Sequence, residues 1–120
     1  GKAPDWAFSE TTTPEQALLY RLSGDLNPLH ASPQFAKMGN FDRPILHGLC
    51  TMAFVHNAAV RQVGGDPMKV KRLAVRFNRP VLMGDTLTIE ARGAPAGPWL
   101  ARMTNQAKVL VLKSGVVELA

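Results

Sequence analysis

The 120-residue chain holds a single cysteine, Cys50, so no disulfide forms within it and the fold must rest on packing and hydrogen bonds. A reducing compartment suits that composition. Aromatic residues are few: two Trp, one Tyr and five Phe, dispersed among Lys and Arg that never cluster, which argues against a nucleic-acid surface. No apolar run approaches the roughly 20 residues of a membrane span, and no basic-then-apolar leader opens the chain. A cytoplasmic protein with no membrane partner is the expectation. Gly1 to Ala3 are set aside as a trimmed or appended end.

What is present is a formal charge of +5, which favours an anionic partner such as a small phosphate-bearing ligand. At this length one domain spanning residues 1–120 is expected. Residues 1–12 alternate loosely and read as an N-terminal arm or edge strand. Residues 13–44 read as a helix and a turn-rich segment. Thr13 has the place of an N-cap, with Pro14 at the first helical position and Gln16 at capping-box spacing, and the helix runs from Glu15 to Leu22 before Ser23-Gly24. Ser32-Pro33 starts a second, shorter helix that Gly39-Asn40 stops. Residues 45–64 are apolar almost throughout and predict a central helix buried on most sides, closed by Gly64-Gly65.

From residue 69 to 119 the period becomes two. Leu73, Val75 and Phe77, then Leu87, Ile89 and Ala91, then Val109, Val111 and Val117 alternate with polar neighbours, and Gly84-Asp85 and the 94–98 segment supply turns. One apolar helix with about four antiparallel strands gives an α+β fold, a curved sheet wrapped around a central helix in the hot-dog arrangement. Such a sheet keeps an exposed edge, so pairing with a second copy is expected on structural grounds alone.

Candidate chemistry concentrates between Tyr20 and Cys50. Asp25 alone reads as an Asx-turn former and His30 alone as a packed histidine. In one tight loop, with Asn27 between them and Pro28 barring a regular helix, they have the residue types to hold and deprotonate one water. His47-Gly48 opens the central helix, where the Gly48 N–H would sit at the positive end of the helix and polarise a carbonyl oxygen. Asp25, His30 and His47 also make up a two-histidine, one-carboxylate set, but no fourth metal ligand accompanies them. Ser23 or Thr51 with His30 lacks the G-x-S-x-G elbow of a hydrolase. Cys50 lies among apolar helix positions and reads as core. His56 reads as surface, and Met38, Met52, Met83 and Phe54 as core with room for an acyl chain. Arg72, Arg76 and Arg79 read as one strand face, solvated by default and able to hold phosphates.

The run YRLSGDLNPLH, followed by PQFAKMGNFDRPILHGLC, resembles the signature of the MaoC-like hot-dog hydratases. These are the (R)-specific enoyl-CoA hydratases of the hydratase 2 type, and the likeness is strongest to the catalytic repeat of peroxisomal multifunctional enzyme type 2. The TTTPEQALLYRLSG lead-in and RFNRPVLMGDTL extend the likeness over most of the chain. The resemblance implies that Asp25 and His30 are the catalytic pair on a loop overhanging the central helix, that Asn27 positions them, and that the Gly48 N–H binds the thioester oxygen. Pro28, His47, Leu49, Phe41 and Arg76 are the expected substrate-binding positions. It implies reversible addition of water to an enoyl-CoA with no metal or other cofactor, CoA being part of the substrate. A homodimer or a heteromer with a second hot-dog subunit follows, with a peroxisomal address in a eukaryote. The sequence departs from the family at Ser32, where Asp is usual, and at Asn40, where Gly is commoner. It also carries one hot-dog repeat where the multifunctional relatives have two. An acyl-CoA thioesterase on the same fold is the alternative, in which His30 has no evident task.

Overall fold

The computed structural model describes residues 3–93 and 98–119. Five strands form one antiparallel sheet: β1 Trp6–Thr11, β2 Val70–Phe77, β3 Thr86–Gly93, β4 Trp99–Thr104 and β5 Leu110–Leu119. Their order is β1-β3-β4-β5-β2, so the expected N-terminal edge strand is present and β2 closes the opposite edge. Among the described residues, the helices between β1 and β2 are α1 Gln16–Tyr20, α2 Pro33–Met38 and α3 Gly48–Gln62. For residues 94–97, the expected 94–98 turn lies outside the described residues.

The period-two pattern gives the sheet its two faces. Leu87, Ile89 and Ala91 of β3 and Ala101 and Met103 of β4 point inward and are buried. On the outer face Ser9 meets Thr88, and Thr11 meets Thr86, each through hydroxyls 2.8 Å apart. Glu90 also faces outward, 3.7 Å from Arg92 and 3.6 Å from Arg102, partly exposed pairs that add little to stability. Where β4 and β5 cross the bulge near Ala101, the backbones close in so far that a β-carbon on Gly115 would stand 2.6 Å from the Ala101 carbonyl oxygen. Only glycine permits that approach.

α3 lies against the inner face through Cys50, Thr51, Val55, Ala58 and Ala59. Two expectations are corrected here. The helix was expected to be buried on most sides, but Leu49, Ala53 and Asn57 are exposed, because the sheet covers one face only. It also starts at Gly48 instead of residue 45. Ile45 is spent on a bridge to Leu82, and the Leu46 N–H donates to the Val81 carbonyl at 2.8 Å, which keeps the chain out of helix until His47.

The first helix is shorter than the sequence suggests, giving way after Tyr20 to a 3-10 turn, Arg21–Ser23. Gln16 does reach back, its Oε1 accepting from the Thr13 N–H at 3.4 Å, but Glu15 occupies the N-cap position and the threonine half of the capping box does not form. Ser32 caps α2 as expected, accepting from the Phe35 N–H at 3.3 Å. One buried knot joins distant segments. Asp85 accepts from the Leu82 N–H at 2.9 Å and from the Gln106 side chain at 2.9 Å, while Thr12 accepts from the Gly84 N–H at 2.8 Å.

Candidate active site

The overhanging segment is a chain of short local devices. Gly24 takes φ +114°, a left-handed conformation that turns the chain out of the Arg21–Ser23 turn and presents Asp25. The Asp25 carboxylate accepts from the Asn27 N–H at 3.2 Å, and the Asn27 side chain accepts from the Leu29 N–H at 3.0 Å. Asn27 thereby caps a 3-10 turn, Pro28–His30, with Pro28 at its first position. This turn swings His30 inward until it is 9% exposed.

There His30 Nδ1 meets the Ile45 carbonyl oxygen at 2.8 Å. A carbonyl only accepts, so Nδ1 is the donor, and in the neutral tautomer this bond selects, Nε2 is the nitrogen with the lone pair. The ring stacks on His47 with centroids 3.9 Å apart and planes inclined by 28°. His47 is 2% exposed, packs against Tyr20 with centroids 4.7 Å apart, and approaches the Asp25 carbonyl oxygen with Nε2 at 3.1 Å. By the same reasoning His47 carries its proton on Nε2. Its Nδ1 is buried without a partner.

His30 lines a cleft of about 290 Å³ together with Phe41, Gly48, Thr51, Phe77 and Arg79. Gly48 is the first residue of α3, so its N–H has no acceptor within the helix and carries part of the helix's positive end. A β-carbon there would stand 3.3 Å from the Phe77 ring, so glycine keeps this wall of the cleft open. Asp25 is exposed at the rim, and its carboxylate lies within 4.8 Å of ligand nitrogens of both His30 and His47. An imidazole lone pair, a carboxylate and an oriented N–H thus surround one opening. The same trio is the set with metal-ligand chemistry among the described residues, and it offers three donors.

Of the expected site residues, Asp25, His30, Gly48 and Phe41 stand at or in the cleft, and Asn27 holds the turn behind it. Four others are placed differently. Arg76 is exposed on β2, opposite Lys113, and points away because its neighbour Phe77 points in. Arg79 lines the cleft instead. Leu49 is 65% exposed and Pro28 is exposed, both outside the cleft lining. His47 is packed behind His30 and does not line the opening. Tyr20 joins the site against His47 without having been singled out for it, and Thr51, weighed only as a hydrolase partner of His30, lines the cleft. Thr51 had the signal, one helical turn beyond Gly48 and on the same face. Burial pushes the Cys50 thiol up, with a hydrogen bond to Gln16 pulling the other way, so it is a core group and no nucleophile.

The family profile described as "MaoC like domain" matches residues 1–109. A peroxisomal enoyl-CoA hydratase 2 of Arabidopsis thaliana is 56% identical over 90 residues, 74% of this chain and 29% of that relative's length. The full-length peroxisomal multifunctional enzyme type 2 of Drosophila melanogaster superposes on all of this chain with TM-score 0.95 and 38% identity, over 23% of its own length. An unliganded R-hydratase of Pseudomonas aeruginosa superposes on 99% of this chain and 81% of its own, with TM-score 0.76 and 26% identity. The chain therefore spans less than a third of the two longer relatives. The sheet wrapped on α3 and the match over residues 1–109 together establish that this chain belongs to the MaoC-like domain family.

Proposed function

We propose that the chain is an (R)-specific 2-enoyl-CoA hydratase, a hydro-lyase that adds water reversibly and on one face to a trans-2-enoyl thioester. The observation that carries this reading is His30 in the cleft, its Nδ1 held by the Ile45 carbonyl, beside the Asp25 carboxylate and Gly48 at the start of α3. Water held between Asp25 and His30 attacks the β-carbon while Nε2 takes its proton. A proton returned on the same face to the α-carbon completes the 3-hydroxyacyl thioester. Negative charge collects on the thioester oxygen, where an N–H donor is worth roughly 3 to 4 kcal/mol in comparable sites. The β-carbon of an enoyl thioester is already electrophilic, so this chemistry calls for no metal or redox cofactor.

CoA is the part of the substrate that the positive charge of the chain suits, with Arg79 lining the cleft as the guanidinium offered to its phosphates. A second hot-dog unit, from another copy or a separate subunit, is the proposed partner. Exposed Leu22, Leu26 and Leu49, with Phe77 exposed at the cleft, support it, as does the side of β2 left unpaired among the described residues. The proposed address is peroxisomal in a eukaryotic host and cytoplasmic elsewhere.

The test is ultraviolet absorbance of the enoyl thioester with crotonyl-CoA and a longer enoyl-CoA. Loss of the band, an (R) product and no free thiol are expected. Release of free CoA would replace this reading with the thioesterase.

A further inference from the structure

Resting on the hydratase reading, we infer that His47, which does not line the cleft, is a positioning residue that fixes both halves of the acid/base pair at once. Its ring stacks on His30 with centroids 3.9 Å apart and packs against Tyr20 with centroids 4.7 Å apart, and these two contacts restrict its rotation. Its edge donates Nε2–H to the Asp25 backbone carbonyl at 3.1 Å. The Asp25 side chain is exposed and, among the described residues, accepts a local bond from the Asn27 N–H that closes its own turn. The bond to His47 ties the rim carboxylate to the start of α3, where Gly48 stands.

The packing of the ring supports the same assignment: the position must fill the space against His30 and must also donate to the Asp25 carbonyl. A hydrophobic residue would fill the space but release Asp25. A histidine satisfies both demands.

The experiment compares three variants of the full chain on crotonyl-CoA. His47→Phe keeps the ring and removes the donor; His47→Gln places an amide N–H near Nε2; His47→Asn places one near Nδ1, out of reach of the Asp25 carbonyl. Expected are a fall in kcat of about thirtyfold or more for Phe and Asn with KM within about twofold, and recovery to within about fivefold for Gln. The double variant His47→Phe/Asp25→Asn should be no slower than Asp25→Asn alone, because both act through one group. If Phe does not fold by circular dichroism, the Asn and Gln pair carries the same contrast. Equal losses for Gln and Asn, a Phe or Asn variant as fast as wild type, or multiplying losses in the double variant would overturn the inference while leaving the hydratase reading intact. A wild type that turns over no enoyl-CoA would overturn both.

Discussion

The sheet and the segment from Arg21 to His47 are held by different means. Every inner strand of the sheet is laddered on both sides, and its inward side chains are almost wholly buried. Residues 21–47 have short backbone turns and isolated backbone bonds such as Leu46 to Val81. They place their functional groups through single side-chain-to-backbone bonds of Asp25, Asn27, His30, Ser32 and His47, and leave Leu22, Leu26 and Met38 exposed. A ladder tolerates the loss of one bond because its neighbours persist. A segment built from single bonds places its functional groups accurately and loses them singly. The contrast predicts that substitutions in the overhang change rate with little change in stability, and that substitutions in the sheet do the reverse.

The sharpest break of that contrast is His30→Ala or Asp25→Asn. Each is expected to lower the hydration rate about a thousandfold, roughly 4 kcal/mol of barrier, with a melting curve close to wild type. A large drop in melting temperature would mean that the pair holds the fold. On the sheet side, Leu87→Ala empties a fully buried position and should cost about 3 kcal/mol in urea denaturation, with kcat per folded molecule unchanged. Gly48→Ala tests the boundary between the two regions. Its methyl would press on Phe77 at 3.3 Å and narrow the approach to the N–H, lowering kcat/KM about tenfold, and Phe77→Leu should restore part of the loss.

Smaller effects sharpen the picture. Ser32→Ala removes the α2 cap and should cost about 1 kcal/mol, read by denaturation. Folding holds the Cys50 thiol protonated, so its folded pKa lies above the ordinary value. The stability this group contributes is full below the ordinary thiol pKa and falls as pH rises through the higher folded one. As pH rises past the ordinary thiol pKa, wild type should lose urea resistance more steeply than Cys50→Ala does.

Most of the fold was legible because its signals are local. The alternation of β3 and the Gly64-Gly65 stop each depend on residues within one element, and the structure bears them out. The Asp25 to His30 turn was legible for the same reason. What escaped depends on contacts across the chain. Ile45 and Leu46 look helical until Val81 and Leu82 claim them. Arg76 and Arg79 read as one strand face, but they are three residues apart, an odd step at period two, so Arg79 falls on the side of Phe77 and lines the cleft while Arg76 stays outside it. The apolar run of α3 suggested burial on most sides because apolar character does not say which surface will cover it. His47 looked like a cleft residue because its place beside Gly48 was visible and its side-chain direction was not.

The exposed leucines bear on how this chain behaves in a tube. Leu22 at 83% exposure and Met38 at 79%, with Leu26 and Leu49 nearby, give the folded monomer more apolar surface than water favours. Any copy-to-copy contact that covers them draws the folding equilibrium forward by mass action. The melting temperature should therefore climb as the protein is concentrated, and dilution should act as a mild denaturant.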